Sequence, residues 1–219
     1  MRPPQSDSSG LPLRGTSPPD QRTHSRIIIA HHLVHTLYGH WLSNDPRGSG
    51  SVETRKPELD DLGPVHRGRK RIQPSRKDLK AFYAEAEPIL DHPIFWIDAA
   101  KRQAIAEAFA RAVKDFGYTV WACAILWNHA HLLLRRHRDD GHTMWDVFAG
   151  FAREALRAFS DVGPEHPVWS DRPYVVFVYD PPGVEWRVDY IEKNPEKEGL
   201  LRQHFPFVQP YDGWPLKKK

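Results

Sequence analysis

The sequence lacks three features that would each define a class of protein. It contains a single cysteine, Cys123, which excludes an intramolecular disulfide and a cysteine-rich zinc site. It has no run of about 18 or more apolar residues and no apolar core near its N-terminus, so we expect no membrane span, no signal peptide and a cytoplasmic location. A glycine-rich nucleotide-binding loop is also absent, so nothing in the sequence indicates a use of ATP.

What the sequence does contain is an ordinary globular composition with a mild basic excess. Hydrophobic residues make up 40% and charged residues 27% of the 219 residues, and the net charge is +3, which weakly indicates a polyanionic partner. Basic residues are concentrated in residues 67–80, where the only acid is Asp78. A solvated loop without a partner and an arm that contacts phosphates both fit this pattern. The candidates for phosphate contact are Arg47, Arg67, Arg69, Lys70 and Arg71.

The order of the predicted elements indicates an α+β fold. Residues 1–26 are rich in Pro, Ser and Arg and predict a disordered tail, and 202–219 predict a C-terminal tail. Between them, over 27–201, lies one domain interrupted by a polar insertion or flexible arm at about 43–96. The predicted strands are 27–37, 118–126, 129–136 and 174–179, and the predicted helices are 78–90, 98–115, 143–159 and 184–193.

Single residues support several of these boundaries. Asp78 and Asp98 are plausible N-caps, Gly117 ends the second helix, and Pro195 stops the last one. Without the insertion and the last helix, the order is β-α-β-β-α-β, the ferredoxin-like arrangement of an antiparallel sheet with helices on one face. The fold prediction is therefore ferredoxin-like, with an added C-terminal helix that carries Tyr190.

Two histidines in one predicted strand form the sharpest local feature. Side chains alternate between the faces of a strand, so His129 and His131 project from the same face and can both reach one metal ion. This spacing alone is weak in a chain with 13 histidines, and two histidines on a sheet face without a metal remain an alternative. We interpret His31, His32, His35 and His40 as structural or DNA-facing.

A second feature lies on the last predicted helix. Positions i and i+4 share a helix face, so Tyr190 and Asn194 point together. A carboxamide oxygen suits a divalent cation, and a phenol beside it could attack phosphorus. The alternative is that Asn194 caps the helix and Tyr190 packs in the core.

The ordered combination of motifs resembles the tyrosine transposases of the IS200/IS605 type, most closely their REP-associated branch. The matching stretches are 30–49, 122–126 leading into His129-Ala130-His131, and 188–195 followed by Gly199-Leu200. Two places depart from the family pattern. Trp127-Asn128 stands where the family usually has Pro-Asp or Pro-Asn, and Ala130 stands where it usually has Val or Ile.

The resemblance implies a function and its residues. Tyr190 would be the nucleophile, and His129, His131 and Asn194 would bind Mg²⁺ or Mn²⁺. The substrate would be single-stranded or hairpin DNA, cleaved and rejoined through a 5′-phosphotyrosine by a monomer or homodimer. Two alternatives remain open: a DNA-binding protein of the same fold without catalysis, and an unrelated zinc hydrolase in which Tyr190 is structural.

Overall fold

The computed structural model describes residues 27–52 and 56–215, so the predicted tail over 1–26 and the lysines at the C-terminus lie outside the described residues. The strands are β1 (Ala30–Thr36), β2 (Val120–Ile125), β3 (His129–Arg135) and β4 (Tyr174–Val178). The α-helices are α1 (Arg76–Ala86), α2 (Ala99–Phe116), α3 (Gly141–Leu156), α4 (Pro181–Glu192) and the single turn α5 (Asn194–Lys197). None of the helices in these two ranges has the length and apolar character needed to cross a membrane.

The four strands form one sheet in the order β2-β3-β1-β4, and every neighbouring pair is antiparallel. The α+β prediction is thus confirmed at the level of an antiparallel sheet with helices. The two central strands, β1 and β3, are paired so that Val34 lies opposite His131 and Thr36 opposite His129. The histidine pair therefore lies in the middle of the sheet rather than at an edge.

Alternation along β3 divides the protein into two packed layers. Ala130, Leu132 and Leu134 face the larger core, which α2 and α3 cover. Leu133 faces the opposite side, where it packs with Val184 and other residues of α4. His129 and His131 have the same parity as Leu133, so they face α4 and not the larger core.

Helix boundaries follow the capping residues closely. Asp98 caps α2 and Gly117 ends it in the left-handed conformation at φ 71°, as predicted. The prediction for α1 was one turn late, because Ser75 is the N-cap and Asp78 completes a capping box from the third helical position. Pro195 was predicted to stop the last helix. In the structure α4 ends at Glu192, and Pro195 lies in the first turn of α5, where no backbone N–H is needed.

The described part of the insertion is folded and does not extend as an arm. Its centre is the buried carboxylate of Asp45, which accepts hydrogen bonds from Arg47 and from the hydroxyl of Tyr83 in α1. Asn44 bonds the carbonyl of Leu59 in a short 3₁₀ turn (Pro57–Leu62). The insertion is therefore held together by polar contacts, and an analysis of apolar periodicity does not predict that it folds.

The described part of the predicted C-terminal tail lies against β2. The Gln203 side chain pairs with the backbone of Ile125 through both its oxygen and its nitrogen, and Gln209 donates its N–H to the carbonyl of Val120. Further along, the ring of Tyr211 packs on Trp121. This segment covers an edge strand that would otherwise expose unpaired backbone groups.

Two glycines of α3 test how closely that helix approaches the sheet. A Cβ at Gly141 would lie 2.8 Å from Val175 Cγ1 and 3.2 Å from His31 Cδ2, whereas a Cβ at Gly150 would meet nothing within 4 Å. We expect Gly141→Ala to lower the free energy of unfolding by about 1–3 kcal/mol, because overpacking shifts the helix. Gly150→Ala should raise it by about 0.5–1 kcal/mol. Urea unfolding midpoints measure both, and equal effects of the two substitutions would contradict the packing described.

Candidate functional site

A cavity of about 470 Å³ lies between the sheet and α4. Strand β1 contributes His32 to its lining, β3 contributes His129 and His131, and α4 contributes Trp186, Arg187 and Tyr190. The histidine pair and the tyrosine, predicted from distant parts of the sequence, therefore share one cavity.

His131 is the centre of a hydrogen-bond network. It is 3% exposed, its Nδ1 lies 3.0 Å from His32 Nε2, and its Nε2 lies 3.2 Å from Asn194 Nδ2. A neutral imidazole has one donor and one acceptor nitrogen. If the Asn194 amide donates to Nε2, then His131 donates through Nδ1 to His32. In that orientation of the amide, His131 and His32 each carry the proton on Nδ1.

His129 is oriented by the residue before it. Its Nδ1 lies 2.7 Å from Asn128 Oδ1, and its ring centroid is 4.9 Å from that of His131. An amide oxygen only accepts, so Nδ1 carries the proton and Nε2 keeps its lone pair. Asn128 therefore fixes the tautomer of His129, as outer partners do for histidine ligands in metal sites.

Burial keeps all three imidazoles neutral at pH 7. Desolvation, with a smaller contribution from the positive charge of Arg187, lowers the pKa of His32 to about 4. Desolvation also lowers the pKa of His129 to about 4, with a smaller effect of His40. The pKa of His131 lies well below its usual value, first through desolvation and then through its two histidine neighbours. Neutral imidazole is the form that binds metal ions.

Tyr190 lies beside these rings. Its ring centroid is 5.9 Å from that of His131 and 6.2 Å from that of His32. Trp186, one turn earlier on α4, stacks parallel to it at 5.3 Å with an interplanar angle of 11°. Lys197 Nζ lies 5.0 Å from the same ring. The phenol is therefore held by packing next to the imidazoles, and it still lines the cavity.

Asn194 is the link between the tyrosine helix and the histidines. It is buried at the start of α5 and contacts His131 directly. The helical i, i+4 relation to Tyr190 was predicted, but the turn between α4 and α5 was not. The structure brings together the four residues for which the resemblance implies a role in a reaction: His129, His131, Tyr190 and Asn194.

The donor set for a metal is small. No group of three or more His, Cys, Asp or Glu side chains in the described ranges could hold a metal ion. What converges is two imidazoles and one carboxamide, without a carboxylate. The amide atom that faces His131 is Nδ2, and a half-turn of the carboxamide presents Oδ1 at the same place. Such a set fits a divalent cation that keeps several waters, and metal binding stays a prediction.

Three exposed aromatic side chains surround the cavity. Trp41 is 38% exposed, Trp186 60% and Tyr174 71%. Trp41 has a left-handed backbone at φ 53°, which is strained for a residue with a Cβ. The guanidinium of Arg47 lies 3.7 Å from the centroid of its ring. Exposed aromatic rings at the rim of a cavity are typical of surfaces on which unpaired bases stack.

The predicted phosphate contacts lie outside this lining. The Arg47 guanidinium donates to Asp45 at 2.6 and 2.9 Å and to the Tyr83 hydroxyl at 3.0 Å. Because these bonds fix the guanidinium, its contact with the Trp41 ring holds that ring in place. The backbone N–H of Lys70 bonds the carbonyl of Arg47, which places the basic loop next to Trp41. In that loop, the exposed side chains are Arg67, Arg69 and Arg71, and that of Lys70 is half-buried. Their contact with DNA stays a prediction.

Sequence reasoning did not single out several cavity residues, among them His32, Trp186 and Arg187. His32 was interpreted as structural or DNA-facing, although strand alternation already separated it from His31 and His35. Trp186 and Arg187 precede Tyr190 by four and three positions, which is the spacing of neighbours on one helix face. Helical periodicity could have identified these two, but only the β1–β3 pairing identifies His32.

Comparisons with known proteins do not assign the chain to a family. No known protein family and no curated protein matches the chain. Among solved structures, the chain is similar to a REP-associated tyrosine transposase bound to a REP hairpin, with a TM-score of 0.44 and 14% sequence identity, over 86% of this chain and 81% of that one. Similarity at this level establishes neither the family nor the function of this chain.

The neutral histidines predict a pH dependence of stability. The pKa of His32 is lowered from 6.5 to about 4, so between these values the unfolded chain binds a proton that the folded chain does not. This contribution to stability is present above pH 6.5 and is lost as the pH falls towards 4. We expect a loss on the order of 1–3 kcal/mol from His32. Urea midpoints between pH 7 and 4.5 should fall less steeply for His32→Gln than for wild type, while exposed His204→Gln should leave the slope unchanged.

Proposed function

We propose that this chain cleaves and rejoins single-stranded or hairpin DNA, with Tyr190 as the nucleophile. One observation carries the proposal: the Tyr190 ring contacts both His131 and His32 in a cavity surrounded by exposed aromatic rings. A tyrosine that served packing alone would not require two buried imidazoles, a half-buried one and a carboxamide beside it. The order of motifs that resembles the IS200/IS605-type transposases supports the same conclusion.

The ferredoxin-like β-α-β-β-α-β arrangement provides the frame of the site. Its central strands present His32 from β1 and His131 from β3 on one face, and the added helix α4 carries Tyr190 across that face. All of these residues come from one chain. We therefore propose that a monomer contains a complete site.

The chemical step is a transfer of a phosphodiester to tyrosine. The Tyr190 oxygen forms a bond to phosphorus while the bond from phosphorus to the 3′ oxygen breaks, and the phenolic proton ends on that oxygen as a free 3′-hydroxyl. The product is a 5′-phosphotyrosine, whose bond energy allows the reverse reaction to rejoin a strand without ATP. Stacking on Trp186 limits the freedom of the ring and favours one direction of attack.

Three residues would hold the divalent cation, Mg²⁺ or Mn²⁺: His129 and His131 through Nε2, and Asn194 through Oδ1. When bound, the cation supplies charge neutralisation at the phosphate oxygens. The chain's own part is to keep these ligands neutral and oriented. Burial keeps the imidazoles neutral, and the contacts of Asn128 and His32 keep them oriented.

The DNA strand would pass over the aromatic rim towards the basic loop. Trp41, Trp186 and Tyr174 offer ring faces for unpaired bases. Arg67, Arg69, Lys70 and Arg71 would then contact phosphates beyond Trp41, with Arg47 at the junction. This path explains why a folded insertion is joined to the rim of the cavity.

Removal of the phenolic oxygen tests the nucleophile. Tyr190→Phe should bind a fluorescent hairpin oligonucleotide with unchanged affinity and form no covalent adduct in Mg²⁺ or Mn²⁺, because the ring remains and the attacking oxygen is gone. The matched control is Tyr179→Phe, an exposed tyrosine outside the cavity, which should form the adduct at the wild-type rate. The readout is a protein–DNA band that survives denaturing electrophoresis.

An adduct that persists in Tyr190→Phe would contradict the assignment. Binding by wild type without any adduct or nicking would instead support a DNA-binding protein that has no catalytic activity.

Direct metal titration tests the ligands without relying on activity. Wild type should bind one Mn²⁺ in isothermal calorimetry, and Asn194→Ala should weaken that binding by about tenfold or more. Gln103→Ala, an exposed amide on α2, is the control and should have no effect. Equal affinities of Asn194→Ala and wild type would remove Asn194 from the site. Stoichiometric zinc with hydrolysis and no adduct would support the zinc hydrolase instead.

A further inference from the structure

One cation in the cavity has no role in the chemistry described so far. Arg187 lines the cavity, and its Nη1 donates to the Gly183 carbonyl at 3.1 Å. Its Nε is buried and has no hydrogen-bond partner among the described residues. A buried donor without a partner is unfavourable, so such a group calls for an explanation.

The nearby acids on the same helix are engaged elsewhere. Asp180 caps α4 by accepting the N–H of Gly183 at 2.7 Å, and Asp189 pairs with Lys193 at 2.5 Å. Within the described part of the chain, no ion pair joins either carboxylate to Arg187. The positive charge of Arg187 instead acts on His32 across the cavity.

The position of Arg187 relative to the tyrosine suits a shared ligand. It precedes Tyr190 by three residues, so the two side chains lie on one face of α4. Its guanidinium carbon is 5.5 Å from the centroid of Trp186, the ring on which Tyr190 stacks. An oxyanion beside the Tyr190 hydroxyl would therefore lie within reach of the guanidinium.

We propose that Arg187 binds the phosphate that Tyr190 attacks, an assignment that rests on the proposed function. With Nη1 committed to Gly183, the Nε and Nη2 groups form the free edge of the guanidinium. That edge presents two parallel N–H bonds, the arrangement that binds two phosphate oxygens at once. Because Nε is buried, phosphate binding requires a change of side-chain rotamer that turns this edge into the cavity. Because negative charge shifts among the phosphate oxygens during attack, this contact stabilises the transition state as well as the bound strand.

The test compares single-turnover adduct formation in wild type, Arg187→Gln, Arg187→Lys and Arg111→Gln. Arg111 is an exposed residue of α2 on the other side of the sheet, so its substitution removes the same charge far from the cavity. We expect Arg187→Gln to lower the maximal rate about 100-fold, as loss of one transition-state donor does. Arg187→Lys should recover part of that rate, and Arg111→Gln should match wild type. Thermal unfolding confirms that each variant is folded.

Binding of inorganic phosphate, followed by tryptophan fluorescence, separates this proposal from the proposed function. If wild type forms no adduct but binds phosphate, and Arg187→Gln does not, the phosphate site stands although the transposase chemistry fails. If wild type forms the adduct and a folded Arg187→Gln does so within about threefold of its rate, the proposal is overturned. It is equally overturned if Arg187→Gln binds phosphate as well as wild type does.

Discussion

The two hydrogen bonds of His131 constrain the whole site. Through His32 they tie β3 to β1, and through Asn194 they tie the sheet to the turn that follows the tyrosine helix. A histidine with both ring nitrogens engaged cannot rotate without losing a buried partner, which is costly. The position of Tyr190 relative to the imidazoles therefore depends on three elements that are far apart in sequence and meet at one ring.

The insertion contributes to the site separately, because it positions Trp41 at the edge of the cavity. The Asp45 carboxylate holds Arg47, and Arg47 holds Trp41 at the edge of the cavity in a backbone conformation that a tryptophan rarely adopts. A buried pair of this kind stabilises little overall, but its geometry is specific. The proposed reaction centre and the surface that would receive bases are thus built by different parts of the chain and joined at one aromatic side chain.

Local patterns predicted the parts of this structure that depend on neighbours in sequence. The caps of α2 at Asp98 and Gly117 and the shared face of His129 and His131 follow from periodicity alone. The position of His32 next to His131 could be predicted only from the β1–β3 register, which is a long-range property. The folding of the insertion depends on polar contacts, which produce no periodic pattern in the sequence. The pairing of Tyr190 with His131 was inferable only as a family expectation. The backbone turn between α4 and α5, which places Asn194 next to His131, could not be predicted from residue types.

The sheet separates two kinds of residue. One face packs aliphatic and aromatic side chains against α2 and α3, and the other, the polar face, carries the histidines under α4 beside a smaller apolar cluster. Substitutions on the polar face leave the larger apolar layer intact, so variants there are expected to fold. The side chains that would carry chemistry and those that form the larger core thus lie on opposite sides of one sheet, so a substitution in one set need not disturb the packing of the other.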